Sequence, residues 1–270
     1  MGFYNVTEYS YSAQGITEFR IFSHGVKTDF IRSKSISVDD LAEADDLLGI
    51  DKSDDAEWLV QMKHDRSVRE SAKRSKQTIY QLARANTWEY FVTLTFDRSV
   101  VDSSDYSIVA KYIGKLFNNY RDIAPDIKYL LVPELHSDMI HYHVHGLISN
   151  IGNLKLFDSG HKDSTGNIIY NLKNYHGGFS TVTAVKDVRK VSSYITKYIT
   201  KSLTDSLMGK RRFWASKNLD KPIVKQYNLE TDILKDTLLA GNVLYTKSVS
   251  CALSGNTIQY IQISNDDKIN

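Results

Sequence analysis

Three histidines at alternate positions are the side chains of this sequence best suited to metal chemistry. His141, His143 and His145 fall within residues 140–149, whose alternation of apolar and polar residues predicts a β-strand. Because side chains alternate between the two faces of a strand, the three imidazoles would share one face. Glu134, on the preceding strand-like stretch, could bring a carboxylate to that face. Mixed nitrogen and oxygen ligands suit Mn²⁺ or Mg²⁺, so the pattern predicts a divalent-metal site with positions open for a phosphate.

A second group of reactive side chains recurs with helical spacing. Tyr194 and Tyr198 are four residues apart, as are Lys197 and Lys201, so each pair would share one stripe of a helix. A phenol has an unperturbed pKa of about 10. It becomes a nucleophile where a metal withdraws charge from a phosphate and an ammonium stabilises the phenolate or the leaving oxygen. The alternative is an amphipathic helix whose tyrosines only pack.

The charge of the chain is unevenly distributed. The formal net charge is only +2, but residues 181–220 carry nine basic residues against three acidic ones, and residues 39–57 carry nine acidic residues against one lysine. A basic region of this kind indicates either phosphate contacts or a solvated helical face. No function is derived for the acidic segment.

The remaining pattern predicts the elements that would position these groups. The chain has 270 residues, of which 41% are hydrophobic, so it can bury a core. The spacing predicts helices over residues 56–85, 107–121 and 187–207, strands over 16–22, 90–97, 128–133, 140–149, 178–183, 243–249 and 257–263, and a loop over 152–178. Antiparallel strand pairs with helices between them indicate an α+β fold.

Composition also narrows the class of protein. The single cysteine, Cys251, excludes an internal disulfide and fits a reducing compartment. The sequence has no apolar run of about 18 residues and no secretory signal pattern. We therefore expect a cytoplasmic protein with no membrane partner.

Three motifs in order resemble the HUH superfamily of rolling-circle replication initiators, especially the replication proteins of small single-stranded DNA phages and bacterial plasmids. They are the strand 91–96 (Phe-Val-Thr-Leu-Thr-Phe), the histidine strand with its Pro-Glu-Leu-His approach at 133–136, and the two-tyrosine helix at 194–201. The segment Arg211-Arg212-Phe213-Trp214 is similar to one that follows the tyrosine helix in the phage group. The resemblance covers roughly residues 65–222.

One departure leaves the metal ligands open. The family pairs two histidines around one residue, and this sequence offers both His141 with His143 and His143 with His145. The second pair is followed by Gly146-Leu147-Ile148, as in many relatives, and is the one we favour.

The resemblance implies a fold, a domain organisation and a reaction. The fold would be a central antiparallel sheet with helices on its faces, formed by residues 61–222, with 1–60 unassigned and the strands of 223–270 packed on the same domain. Tyr194 or Tyr198 would attack single-stranded or hairpin DNA at a replication origin, forming a 5′-phosphotyrosine and a 3′-hydroxyl. Arg211 and Arg212 would contact phosphates, and Phe213 and Trp214 would stack on bases. Since no phosphate-binding loop is present in the sequence, a host helicase and polymerase would act beside it in the cytoplasm of a bacterial host.

Three other functions compete with this hypothesis. A related relaxase or transposase would keep the chemistry, but relaxases commonly place the tyrosine before the histidines, and the paired tyrosines argue against a one-tyrosine transposase. A non-catalytic DNA-binding replication regulator would keep only the sheet. A metal-dependent hydrolase that does not act on DNA would leave the tyrosine pair unexplained.

Overall fold

The structure, a computed structural model, describes residues 3–27, 54–187, 195, 210–230, 242–250 and 255–265, with side chains described from Asp65 onward in the helix that begins at Asp54. The chain divides into two compact units. The terminal unit consists of residues 1–10, 15–70 and 223–270, and the central unit consists of residues 11–14 and 71–222. Each unit carries its own sheet.

The terminal unit joins the two ends of the sequence in one five-stranded sheet. Its strands are β1 (Phe3–Tyr11), β2 (Ile16–Lys27), β10 (Ile223–Tyr227), β11 (Val243–Ser250) and β12 (Thr257–Ser264), in the order β10-β1-β2-β12-β11. Strand β12 pairs antiparallel with β2, and the two strands bury Ile261, Phe19 and Ile21 together with Val6. The hydrophobic effect of this small cluster holds strands from opposite ends of the sequence together.

The central unit contains a seven-stranded antiparallel sheet. Its strands are β3 (Tyr90–Phe96), β4 (Lys128–Leu135), β5 (Tyr142–Ser149), β6 (Leu156–Lys162), β7 (Ile168–Leu172), β8 (Gly178–Ala184) and β9 (Trp214–Ala215). Their order is β6-β7-β8-β3-β5-β4-β9, so β5 lies inside the sheet between β3 and β4. Gly146 permits this close pairing, because a Cβ atom there would overlap the Leu131 side chain and the Leu130 carbonyl of β4.

One face of this sheet, called here the packed face, is covered by helix α2 (Tyr106–Ile123). Asp105 caps the helix by accepting a 2.7 Å hydrogen bond from the Ser107 backbone N–H. The helix and the sheet bury a large apolar cluster whose members include Val92, Leu94, Phe96, Val109, Ile113, Phe117, Tyr120, Val144 and Ile148. The alternation of the strands therefore supplies one continuous core on this side.

Among the described residues, the opposite face, called here the histidine face, has an apolar cluster at one end of its strands. The C-terminal part of α1 (Asp54–Ala85) packs Ile79, Leu82 and Ala83 against three sheet residues, Leu130, Val132 and Leu147. Farther along the same strands and on the same face lie Glu134, His143 and His145. The described contacts of α1 thus cover the apolar part of the histidine face, and the polar side chains lie beyond them.

The predicted fold class is confirmed, because the described residues form two antiparallel sheets with helices. The β4–β5 hairpin and the strands predicted at 90–97, 178–183, 243–249 and 257–263 are confirmed within a few residues. Within the described residues, no helix is long and apolar enough to cross a membrane. Two of the unit boundaries lie at 70/71 and 222/223, and the predicted packing of residues 223–270 on the domain of residues 61–222 stays a prediction.

The loop predicted over residues 152–178 is wrong, because it contains the hairpin of β6 and β7. The polar composition of this stretch concealed the two strands. Most residues of β6 face solvent, so its sequence lacks the apolar alternation of a half-buried strand. The hairpin turn is held by the Asp163 carboxylate, which accepts hydrogen bonds from the backbone and side chains of Thr165 and Asn167. The helix predicted over 187–207 lies outside the described residues apart from Asp187 and Ile195, as does most of the acidic segment 39–57.

Candidate functional site

The β4–β5 hairpin brings a carboxylate and two imidazoles together on the histidine face. Glu134 lies directly opposite His143 in the antiparallel register, and His145 follows two residues along β5. The Glu134 Oε2 and His145 Nε2 atoms are 2.9 Å apart, with side chains that are only 9% and 12% exposed. The ring centroids of His143 and His145 are 6.4 Å apart. These three side chains form the candidate site.

Two threonines of β3 support the two imidazoles from the neighbouring strand. Thr93 pairs with His145 and Thr95 with His143, so the hydroxyls lie on the histidine face beside the rings. Thr93 Oγ1 is 3.0 Å from His145 Nδ1, and Thr95 Oγ1 is 3.4 Å from His143 Nδ1. Where the hydroxyl accepts, Nδ1 carries the proton and Nε2 keeps its lone pair, which is the form that a metal binds.

The electrostatic surroundings favour a neutral His143. Burial lowers the pKa of its imidazole, and the neighbouring His136 and His145 lower it further because a second positive charge would repel theirs. The His136 ring stacks on the His143 ring, with centroids 4.7 Å apart and planes 14° from parallel. A neutral, stacked imidazole is preorganised as a ligand.

His141 belongs to the turn that precedes β5 and not to the strand, which begins at Tyr142. Its Nδ1 is 2.7 Å from Asp138 Oδ2, and Asp138 Oδ1 accepts the backbone N–H groups of His141 and Ile140 at 3.0 Å. These hydrogen bonds hold the pKa of the Asp138 carboxyl well below its usual range. The predicted row of three histidines on one strand is therefore reduced to His143 and His145 by the position of the turn.

The chemistry of the donor set fits a divalent ion. Two imidazole nitrogens and one carboxylate are ligands that Mn²⁺ accepts, and Mg²⁺ would rely more on the carboxylate and water. Among the described residues, no three His, Cys, Asp or Glu side chains already have the spacing of a bound metal's ligands. Glu134 and His145 hydrogen-bond to each other instead. An ion bound there would have to replace that hydrogen bond with bonds to both atoms.

The predicted nucleophiles and cations Tyr194, Tyr198, Lys197 and Lys201 lie outside the described residues. Ile195, beside Tyr194 in the sequence, is described as helical and fully buried. It belongs to the apolar cluster formed by Leu130, Val132 and Leu147 on the histidine face. Ile195 therefore packs on the same sheet face that carries Glu134 and the two histidines.

The segment predicted to contact DNA is largely built into the protein. Trp214 is 6% exposed in β9, where it pairs with Leu131 and stacks on the Tyr106 ring at 6.0 Å. Arg212 is 8% exposed, and burial lowers its pKa. Phe213 is half-buried against the α1 cluster. Of the four predicted residues, Arg211 alone is exposed, because pairing of β9 with β4 turns its neighbours inward.

Sequence reasoning missed three of the residues that support the site, namely Thr93, Thr95 and His136. A signal for the threonines was present, since Thr93 and Thr95 alternate with Leu94 and Phe96 with the period of a strand. The strand that pairs with β3 depends on the strand order of the sheet. The sequence pattern does not reveal this order, so it did not predict that the two threonines lie beside the histidines. His136 was identified from the sequence only as the last residue of the Pro-Glu-Leu-His motif at 133–136.

Comparison with known proteins gives a family match over part of the central unit. Residues 89–203 match the family model described as Replication-associated protein ORF2/G2P. The matched stretch begins just before β3 and includes Glu134, His143, His145 and the two tyrosines. No curated protein and no solved structure matches the chain. The family match supports a replication initiator, and a protein of that class binds DNA.

Proposed function

We propose that this protein is an HUH-type DNA endonuclease and strand transferase that nicks and rejoins DNA to start and end rolling-circle replication. The observation that carries the proposal is the pairing of Glu134 with His143 and His145 on one sheet face, each histidine backed by a threonine hydroxyl. This cluster falls within the stretch that matches the replication-associated family.

His143, His145 and Glu134 would hold a divalent ion, Mn²⁺ or Mg²⁺. When bound, that ion withdraws negative charge from the scissile phosphate and so makes its phosphorus easier to attack. Thr93 and Thr95 hold the Nδ1 side of each ring, which leaves Nε2 as the ligating atom. His141 is assigned no ligand role, because it lies in the turn before β5 and not on the strand that carries His143 and His145.

The phenol oxygen of Tyr194 or Tyr198 would form the new bond to phosphorus. The bond from phosphorus to the 3′-oxygen breaks, and that oxygen takes up a proton in place of the one that the phenol loses. Lys197 and Lys201 would stabilise the phenolate and the leaving oxygen. The products are a 5′-phosphotyrosine and a 3′-hydroxyl, which primes synthesis by a host polymerase after a host helicase has unwound the duplex.

The phosphotyrosine preserves the energy of the broken phosphodiester, so attack by a 3′-hydroxyl reverses the step and rejoins DNA without ATP. Two tyrosines allow one to hold the first end while the other cuts again. The substrate would be single-stranded or hairpin DNA at an origin. Exposed Arg211 would contribute phosphate contacts near the site.

The test is a covalent adduct between the protein and DNA. The full chain is incubated with labelled single-stranded origin DNA and either Mn²⁺ or EDTA, then boiled in detergent and separated by size. We expect an adduct with Mn²⁺ only, reduced in Y194F or Y198F and lost in the double variant. Y245F, which changes an exposed tyrosine of β11 outside the proposed reaction, serves as a matched control that keeps the adduct.

The same assay separates the proposal from its closest rival. A non-catalytic replication regulator would bind the origin DNA tightly and give no adduct with or without Mn²⁺. That result, on a DNA verified as the genuine origin, would overturn the nickase function.

A further inference from the structure

An exposed aromatic ring lies on the histidine face within two strands of the candidate site. Phe179, near the start of β8, is 54% exposed. It pairs with Thr95 of β3, which pairs in turn with His143 of β5. Residues that are directly opposite each other in neighbouring strands share a face, so Phe179, Thr95 and His143 form one row across the sheet. Two strand spacings separate the ends of this row by about 10 Å.

The backbone holds Phe179 firmly in this row. Strand β8 pairs with β3 over its full length, from Gly178 to Ala184. Gly178 adopts a φ of 146°, and a Cβ atom at this position would overlap the Thr95 carbonyl. Glycine therefore lets β8 begin in close contact with β3, and the next residue presents its ring beside the site.

The exposure of this ring is not explained by its place in the sheet. Strand β8 is internal, with β7 on one side and β3 on the other. The next two residues of β8 on the same face are threonines, Thr181 and Thr183. A ligand that covered this ring beside the candidate site would gain the free energy of burying it.

The chemistry of the neighbouring site identifies the class of that ligand. A strand cut at a phosphate beside His143 carries an unpaired base on each side of that phosphate. Every base has an apolar π-face, and stacking on aromatic side chains is the usual way in which proteins hold unpaired bases without reading sequence. A protein partner would not need to lie in the same row as His143.

We propose that Phe179 stacks on an unpaired base that flanks the scissile phosphate and thereby positions the single strand for attack. The inference rests on the proposed function and deepens it. Phe179 is a positioning residue, since its ring contacts a base and takes no part in bond making. The ligand is single-stranded DNA. Phe179 contacts the face of one base, and this contact does not depend on which base it is.

The test is equilibrium binding of a fluorescently labelled, mixed-sequence single-stranded oligonucleotide by the full chain in EDTA. We compare F179A and F179W with F157A. Phe157 of β6 is a matched control, because it is 51% exposed in the same sheet but lies four strands from β5. Loss of one stacked base weakens binding by roughly tenfold or more, so we expect that loss in F179A, near-normal binding in F179W and little change in F157A.

A second arm locates the contact. Removing one base at a time from an origin oligonucleotide should weaken binding of the wild-type chain most at one position beside the nick. F179A should be insensitive to removal of that same base, because the contact is already gone. Binding by F179A equal to that of the wild type, equal losses in F179A and F157A, or no binding of single-stranded DNA by the wild type would each overturn the proposal.

The binding assay contains no metal and measures no cleavage, so the two proposals fail separately. A weakened F179A together with a wild-type chain that forms no adduct would uphold the base contact and reject the nickase. An adduct formed normally by F179A, with normal binding, would uphold the nickase and reject the base contact.

Discussion

The two faces of the central sheet use adjacent residues of the same strands in different ways. On β3, Thr93 faces His145 on the histidine face, while Leu94 is fully buried on the packed face. On β5, His143 stacks on His136, while its neighbour Val144 is fully buried beneath α2. The packed face is continuous and apolar. The histidine face is polar where the strands of the β4–β5 hairpin meet their turn.

This difference shows how the sheet separates stability from chemistry. Because side chains alternate, a substitution on one face removes little from the other. The packed face should therefore determine the free energy of unfolding, and the histidine face should determine metal and DNA binding. Each prediction below tests that separation.

The largest stability effect is expected on the packed face. Leu94→Ala removes a fully buried side chain from the α2 core and should lower the free energy of unfolding by about 2–5 kcal/mol. Urea denaturation measures this change. Thr93→Val, the matched substitution one residue away, should change it by less than about 1 kcal/mol. Equal losses in the two variants would contradict the separation.

The reverse result is expected for metal binding. Thr93→Val keeps the shape of the side chain but removes the hydroxyl that orients His145, and loss of such a supporting group weakens metal affinity by about 10–100-fold. Calorimetric titration with Mn²⁺ measures this affinity. Thr181→Val is the control, because Thr181 pairs with Thr93 on the same face from β8 and not with a histidine strand. Unchanged affinity in T93V would remove the threonine from the site.

A smaller effect is expected at alkaline pH on the packed face. Burial raises the pKa of Tyr106 from 10.0 to about 12, and its hydroxyl donates to the Arg211 carbonyl. The folded state thus holds the phenol proton more tightly than the unfolded state. Its contribution to stability is complete below pH 10.0 and is lost as the pH rises toward about 12. Urea denaturation across this range should show a smaller decline in Tyr106→Phe than in the wild type. An identical decline would exclude this group as a cause.

Much of the central sheet was predictable because its strands alternate strongly or are rich in β-branched and aromatic residues. Residues 90–97 and the β4–β5 hairpin have these patterns, and both are present. Strand β6 has neither, since its side chains mostly face water and its register shifts between Asp158 and His161. Such a strand forms through pairing with β7, and a single-sequence pattern carries no record of that pairing.

The candidate site was predictable in its residue types but not in its boundaries. Glu134, His143 and His145 meet as the hairpin hypothesis requires. Of the three predicted histidines, His141 lies in the turn before β5, and three hydrogen bonds to Asp138 fix where that turn ends. Trp214 was predicted as a base-stacking residue, but its pairing with Leu131 and its contact with Tyr106 bury it. Contacts between residues far apart in the sequence also occur in the terminal unit, where the Thr257 backbone N–H donates a hydrogen bond to Ser23 Oγ, 234 residues earlier.

The most direct measurement of the central claim compares His143→Ala with His141→Ala in the metal-dependent adduct assay. His143 lies on the histidine face beside Glu134, whereas His141 is held by Asp138 in the turn. We expect H143A to lower adduct formation by more than about 100-fold, because it removes a proposed metal ligand and not only a supporting group, while H141A keeps most of the activity. Normal adduct formation by H143A, or equal loss in the two variants, would contradict the assignment of the site.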